Sequence, residues 1–236
     1  MHTTAIAVAD RKSLTYPAWH TITILGMIAA LVAMSTRLHA APHNGESHKL
    51  IGYLVVAAFE WTMATWIAAG CRMQGESLST LLGECSLRWR TILRDCGLAL
   101  GFLVVANIIL GLVQRLFAAA PNDALRGLLP HTAIETAAYL GLTVTAGFCE
   151  EWIYRGYLQR QFTAWTGNVA FGLVLQGIVF GVSHAYQGFG MVLTITLYGC
   201  LFGLLARWRK SLRPGIIAHF VQDAVGGLLL ARSVLK

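Results

Sequence analysis

Charged side chains are scarce in this sequence, and their scarcity excludes an ordinary soluble domain. Asp, Glu, Lys and Arg make up 12% of the 236 residues, whereas about 25% is typical of soluble proteins. Hydrophobic residues make up 56% of the chain, and the mean hydropathy is +0.60. We therefore expect an integral membrane protein.

The sequence also lacks a Cys-x-x-Cys pair and any other metal-binding cysteine spacing. Its five cysteines are Cys71, Cys85, Cys96, Cys149 and Cys200. This odd number, with four of the five in or near apolar runs, predicts small packing residues rather than a disulfide framework. The net charge of +7 does not indicate a nucleic-acid partner, because the basic residues lie between apolar runs, as they do in membrane loops.

No long repeat or low-complexity segment is present, but the chain has seven apolar runs. They are Trp19–Met34, Leu50–Ala69, Cys96–Phe117, Ala133–Cys149, Val169–Ser183, Met191–Ala206 and Ile216–Ala231. A transmembrane helix needs about 20 residues, so the short runs of the second half favour a bundle with a cavity. The predicted fold class is therefore all-α, a polytopic transmembrane bundle of about seven spans.

The segment Ser77–Trp89 differs from these runs. Its apolar residues recur at helical spacing beside two arginines; they are Leu78, Leu81, Leu82, Cys85 and Trp89. This pattern predicts an additional amphipathic helix that lies in the membrane interface. The alternative is a loop in which the spacing arose by chance.

Lysine and arginine counts predict the orientation of the chain in the membrane. With seven spans and an inside N-terminus that carries Arg11 and Lys12, twelve of the 18 basic residues fall in cytoplasmic segments and six outside. The sequence Leu38-His39-Ala40 weakly resembles a signal-peptide cleavage site. The Tyr16-Pro17-Ala18-Trp19 entry and the length of the first run favour a retained span instead.

Two adjacent carboxylates end the fourth apolar run, in the stretch Glu150-Glu151-Trp152-Ile153-Tyr154-Arg155. An ionisable group at membrane depth costs roughly 2.5–3.5 kcal/mol on insertion scales, so it persists where it faces a protein interior and has a function. Glu151 and Arg155 have the favourable order of an i,i+4 ion pair. That pair does not explain Glu150, which points about 100° around the helix from Glu151.

Two further polar clusters interrupt the apolar second half, Phe180-Gly181-Val182-Ser183-His184 and His219-Phe220-Val221-Gln222-Asp223. A single histidine of this kind is more often a structural cap or a satisfied core residue. Two histidines and two acids in consecutive apolar runs favour a site. His219 and Asp223 are one helical turn apart and therefore share a face.

A helix breaker, Thr166-Gly167-Asn168, lies between the first two clusters. If the helix of Glu150 continues to about Thr163, a hairpin forms around Gly167, and Glu150 and His184 lie at the same depth. Glycines at four-residue spacing let helices approach closely. The sequence has three such pairs, Gly97/Gly101, Gly177/Gly181 and Gly199/Gly203. We expect the second pair to draw His184 against its hairpin partner, near the cytoplasmic surface.

These motifs resemble those of the CPBP family, which comprises CAAX proteases and bacteriocin-processing enzymes and is also called the ABI family. Its pattern is Glu-Glu-x-x-x-Arg, then Phe-x-x-x-His, then His-x-x-x-Asn or Asp, in that order on membrane helices. All three motifs are present, and the resemblance covers about Ala133 to Leu229. We therefore expect residues 1–130 to hold N-terminal spans and the interfacial helix, and residues 131–236 to hold the catalytic core of one integrated membrane domain.

The resemblance implies an intramembrane endopeptidase of the glutamate type, without metal or other cofactor. Transferred motif by motif, Glu150 and His184 activate a water, and His219 and Asp223 stabilise the oxyanion. Glu151 and Arg155 support the site as a structural pair. This chemistry is reasonable, because a carboxylate in an apolar pocket is a stronger base than one in water, and a positioned donor stabilises a tetrahedral intermediate.

Asp223 admits two interpretations, because an ionised carboxylate would repel an oxyanion. Either burial beside His219 keeps its proton on, so that it donates as asparagine does, or it stays ionised and orients His219. Two other functions also stay open. One is a metal-dependent protease whose ligands are the same four residues, although no His-Glu-x-x-His is present. The other is a non-enzymatic immunity or scaffold protein. Cys149 has no lysine or histidine near it in sequence and is a poor candidate nucleophile.

The expected partners are a peptide or protein substrate at the membrane and the lipid bilayer itself, with no nucleic acid. The expected location is a bacterial cytoplasmic membrane, with the active site near its cytoplasmic face. The residues do not distinguish a prenylated tail from a leader peptide or a membrane-protein segment as substrate.

Overall fold

The computed structural model describes residues 16–40, 46–84, 86–116 and 127–234. The helices are α1 (Ala18–Ala40), α2 (Glu46–Met73), α3 (Leu78–Leu82), α4 (Trp89–Leu116), α5 (Ala133–Glu150), a π-helix (Glu151–Leu158), α6 (Gln159–Thr166), α7 (Val169–Val182), a 3-10 turn (Ala185–Gln187), α8 (Phe189–Arg209) and α9 (Arg213–Val234). The basic pair Arg11 and Lys12, the thiol Cys85 and the expected span end Phe117 lie outside the described residues.

The all-α membrane fold is confirmed, since each predicted apolar run lies in a helix as far as it is described. Five of the described helices are long and apolar enough to cross a membrane, namely α1, α2, α4, α8 and α9. Helix α5 has 18 residues and α7 has 14. The short helices are thus those that carry the first two polar clusters, whereas the helices over the short runs Met191–Ala206 and Ile216–Ala231 are long enough to span.

The amphipathic helix expected over Ser77–Trp89 is confined to α3, which ends at Leu82. Gly83 follows with φ 77°, and a Cβ on it would collide with the backbone of Lys210. The Glu84 amide donates to the Lys210 carbonyl oxygen at 2.9 Å. This pairing with the connection between α8 and α9 stops the helix, a long-range constraint that leucine spacing does not reveal.

The hairpin expected around Gly167 is present. Gly167 adopts φ 63°, and the Asn168 side-chain oxygen caps the first turn of α7. The helix that leads into the turn ends at Thr166, slightly beyond the expected Thr163. Helices α6 and α7 then pack side by side, so the chain returns toward the level of Glu150.

The segment directly after Glu150 is a π-helix, and all eight of its residues are buried. Such segments are rare and are found frequently at functional sites. Trp152 and Ile153 of the π-helix share one hydrophobic core with Ile24 of α1 and with Ile67 of α2. The N-terminal helices therefore form the wall against which the π-helix packs.

Gly177 and Gly181 produce a close helix approach, but their partner is α8 rather than the helix of Glu150. A Cβ on Gly177 would lie 2.5 Å from Cys200 Sγ, and one on Gly181 would lie 2.6 Å from the carbonyl oxygen of Val192. The expectation that these glycines draw His184 against its hairpin partner is therefore wrong. The glycine face of α7 packs on the following helix, α8. The predicted hairpin of α6 and α7 took no account of that helix.

Candidate active site

Glu150 and Glu151 lie where α5 passes into the π-helix, and glycines seat them against α9. A Cβ on Gly147 would lie 3.1 Å from the backbone nitrogen of Phe220. On the α9 side, a Cβ on Gly215 would lie 2.6 Å from Glu151 Oε2. The two helices approach closely here because neither glycine carries a side chain.

Glu151 and Arg155 form a buried ion pair. Glu151 Oε1 lies 2.9 Å from Arg155 Nη1, and both side chains are 0% exposed. The guanidinium carbon lies 4.2 Å from the ring centroid of Phe180 and 4.9 Å from that of Phe202. Because a buried charge is costly unless it is paired, each member of this pair depends on the other. The i,i+4 pair expected from the sequence is present.

His219 lies among three carboxylates. Its Nδ1 is 3.2 Å from Glu151 Oε1. Its Nε2 is 3.4 Å from Glu150 Oε2 and 3.6 Å from Asp223 Oδ2. A carboxylate only accepts hydrogen bonds, so Nδ1 carries a proton directed at Glu151. Glu151 therefore contacts a predicted catalytic histidine as well as Arg155, and the sequence had indicated the second contact alone.

The solvent-exposed fraction of the side chains rises across the cluster from Glu151 to Asp223. The side chain of Asp223 is 35% exposed and that of Glu150 is 15% exposed, whereas His219 is 6% exposed and Glu151 is fully buried. Glu150 Oε2 is buried and has no hydrogen-bond partner within the described part of the chain. Water therefore approaches these carboxylates from the Asp223 side, and the Glu151–Arg155 pair closes the other side.

His184 lies at the end of α7, separated from His219 by the ring of Phe180. The Phe180 ring centroid is 5.0 Å from that of His184 and 6.0 Å from that of His219. His184 Nδ1 lies 2.9 Å from the carbonyl oxygen of Phe180, so this nitrogen is the donor and Nε2 carries the lone pair in the neutral ring. The structure thus brings Glu150, His219 and Asp223 into one cluster and places His184 beside it.

Glu60 of α2 joins the cluster, although it was not among the predicted site residues. It is 3% exposed, and its carboxyl group lies within interaction distance of the carboxyl group of Glu150. Glu60 is the sole acidic residue between Lys49 and Met73. An isolated acid inside an apolar span is itself a signal for function, so composition could have identified Glu60, whereas its partner could not be inferred.

The described residues include no group of three or more His, Cys, Asp or Glu side chains arranged to hold a metal ion. Cys149 is fully buried and packs in the same hydrophobic core as Trp152 and Ile153. The thiols of Cys71, Cys96 and Cys200 are free, as is that of Cys149. The arrangement of acids and imidazoles suits proton transfer to and from a water molecule.

A cavity of about 1150 Å³, lined in part by Arg155, lies between α3 and the connection from α8 to α9. Its basic lining residues are Arg155, Arg160, Arg207 and Lys210. At its edge the hydrogen bond from Arg209 holds the pKa of the exposed Glu84 carboxyl below its ordinary value. None of the four predicted catalytic residues is among the described residues that line this cavity, so it is distinct from the candidate active site.

Residues 132–225 match a sequence family described as Rce1-like, type II CAAX prenyl endopeptidase. All three motifs lie within this segment, and the resemblance expected there is confirmed. The chain is also 33% identical over 84 residues to an uncharacterized protein, YpbD, of Bacillus subtilis (strain 168). That alignment covers 36% of this chain and 41% of YpbD, so the chain spans less than half of this curated relative. No solved structure matches the chain.

Proposed function

We propose that this integral membrane protein is an intramembrane endopeptidase that uses a glutamate and a histidine to activate water. The observation that carries this proposal is the placement of His219, with Nδ1 3.2 Å from Glu151 and Nε2 3.4 Å from Glu150. A fixed imidazole beside an accessible carboxylate is an arrangement suited to general acid–base catalysis. The family match over residues 132–225 supports the assignment to peptide hydrolysis.

Glu150 is the proposed general base. It takes a proton from water as the water oxygen attacks the carbonyl carbon of the scissile peptide bond. It then returns that proton to the amide nitrogen as the carbon–nitrogen bond breaks, so the carboxylate is regenerated. His184 supports this step because its Nδ1 is engaged with a carbonyl oxygen, and its Nε2 lone pair is left to orient the same water.

His219 and Asp223 are the proposed donors to the oxyanion. Because Glu151 holds the Nδ1 edge of His219, the Nε2 edge is the one that faces the reaction, and Asp223 lies 3.6 Å from it. In a serine-protease triad the orienting carboxylate lies at the Nδ1 edge. Here that position belongs to Glu151, which favours the donor role for Asp223 over the orienting role.

The proposed substrate is a peptide or protein held at the membrane, either a membrane-associated segment or a leader peptide. The accessible side of the cluster is that of Asp223, which is where an extended substrate would enter. The proposed location of the site is near the cytoplasmic face of a bacterial cytoplasmic membrane. The charge distribution along the chain supports this orientation.

The test is substrate trapping followed by identification of new peptide termini. Wild-type protein and Glu150→Gln are purified in detergent, reconstituted into vesicles and incubated with membrane proteins of the source cell. Mass spectrometry is expected to find new termini with the wild type and an uncleaved substrate retained by Glu150→Gln. Glu135→Gln is the matched control, because Glu135 is a buried acid of the same helix, α5, that pairs with Lys49 away from the cluster.

Equal cleavage by wild type and Glu150→Gln would show that Glu150 is not the general base. Inhibition by a chelator that zinc reverses would favour the metal-dependent reaction instead. Retention of the same proteins by both forms, with no new termini, would favour a scaffold.

A further inference from the structure

Glu60 lies in the N-terminal half of the chain, outside the segment that matches the family. Helix α2 places it against α5: the ring of Trp61 stacks on that of Phe148 at 5.7 Å, and Trp61 Nε1 donates to Thr145 Oγ1 at 3.4 Å. Glu60 itself is 3% exposed. Its Oε2 is buried and has no hydrogen-bond partner among the described residues. An acid this deeply buried needs a compensating contact.

Glu150 is the group placed to provide it. The carboxyl groups of Glu60 and Glu150 lie within interaction distance where α2 packs on α5, each with a buried Oε2 that no described residue hydrogen-bonds, and Asp223 contributes further negative charge to the same region. The titratable groups that face this pair from neighbouring elements are Cys149, Tyr154, Tyr186, His219 and Asp223. Two carboxylates in contact cannot both be ionised in an apolar site, so the pair shares one proton.

We propose that Glu60 is a positioning residue that keeps the shared proton and donates it as a hydrogen bond to the Glu150 carboxylate. This inference rests on the proposed function, in which Glu150 is the base. Glu150 is the more accessible member of the pair, 15% exposed, so it receives the proton from water while Glu60 stays protonated throughout. The reaction thus requires an acid from α2, and residues 132–225 do not contain the complete site.

The test compares Glu60→Gln, which keeps a donor, with Glu60→Leu, which removes it. Glu60→Gln is expected to keep kcat within a factor of about three, because its amide still donates to Glu150. Glu60→Leu is expected to lower kcat roughly a hundredfold with KM unchanged, as loss of a hydrogen-bonded support does at other sites. Glu135→Gln should leave kcat unchanged.

Infrared spectroscopy of the same proteins tests the shared proton without reference to activity. At neutral pH the wild type is expected to show the C=O stretching band of the protonated Glu60 carboxyl in addition to that of the protonated Asp223. The Glu60 band disappears in Glu60→Gln and Glu60→Leu and shifts in Glu150→Gln, and it is identified in the difference spectrum between the wild type and Glu60→Gln. A wild-type spectrum without this band, or one that Glu60→Gln does not change, overturns the inference. If the band behaves as expected but Glu150→Gln still cleaves, the proposed function fails and the shared proton stands. If Glu60→Leu keeps wild-type kcat while Glu150→Gln is inactive, the positioning role fails and the proposed function stands.

Discussion

Glu151 accepts at the Nδ1 edge of His219, with 3.2 Å between the two atoms, while the same Glu151 oxygen lies 2.9 Å from Arg155 Nη1. One carboxylate oxygen thus connects a structural cation to a proposed catalytic imidazole. The orientation of His219 consequently depends on an ion pair within the π-helix. Replacing Glu151 is therefore expected to affect both folding and chemistry.

Glu151→Gln is expected to destabilise the protein by about 3–5 kcal/mol, because it leaves the buried Arg155 without its charge partner. The measurement is thermal unfolding in detergent, followed with a dye that reacts with buried thiols such as Cys149. Glu84→Gln is the control, since the Glu84 side chain is 63% exposed and its pairing with Arg209 is screened by water. A melting curve of Glu151→Gln that overlays that of the control would contradict this account.

Asp223→Asn is expected to keep cleavage within about tenfold of wild type, or ~1.4 kcal/mol of barrier, because an amide donates as a protonated carboxyl does. Asp223→Ala should lose roughly a hundredfold or more, on the order of one oxyanion donor. The measurement is the kcat of peptide cleavage by the purified variants at fixed pH. If the Asn variant falls as far as the Ala variant, Asp223 acts as a carboxylate and the donor role is wrong.

Much of the fold was predictable because it depends on local sequence. Long apolar runs can satisfy their backbone in lipid only as helices, and Gly167 followed by the capping Asn168 defines the hairpin turn. The i,i+4 spacing of Glu151 and Arg155 was enough to predict their pair. The order of the three motifs indicated which residues meet at the site, although not how close His184 comes.

The parts that could not be predicted depend on contacts between distant segments. The amphipathic helix ends at Leu82 because Gly83 meets Lys210, and no spacing rule contains that pairing. Gly177 could pack on either neighbouring helix, and the choice of α8 follows from the packing of the whole bundle. The π-helix has no sequence signature of its own. Glu60 was visible as an isolated acid, but its partner Glu150 lies far along the chain.

Gly177→Ala is expected to destabilise the protein by about 1–3 kcal/mol, because the added Cβ would lie 2.5 Å from Cys200 Sγ and must separate α7 from α8. Gly101→Ala is the matched control, since a Cβ there meets nothing within 4 Å. Its melting temperature should stay unchanged or rise, because alanine favours a helix. Both are measured by thermal unfolding in the same detergent, and equal losses in the two variants would refute the close approach.

Arg207→Cys is expected to react with a membrane-impermeant thiol reagent from the cytoplasmic side alone, since the bias of basic residues places the connection from α8 to α9 inside. Arg207 is the suitable probe because it is exposed, whereas the neighbouring Ser211 is 2% exposed and would be protected on either side. The comparison is between intact cells and inverted vesicles, with the unsubstituted protein as background. Labelling in intact cells would place this connection outside and contradict the predicted orientation.

The spacing of Glu151 and Arg155 also matters for how the chain is made. Both residues belong to one short helical segment, so their pair forms as soon as that segment folds, before the ribosome has synthesised His219. The segment can therefore pass from the translocon into lipid as a nearly neutral unit, which avoids the cost of an unpaired charge at membrane depth. Assembly of the site then waits for α9, which is synthesised after α5 and the π-helix, and its imidazole docks on a carboxylate already held in place.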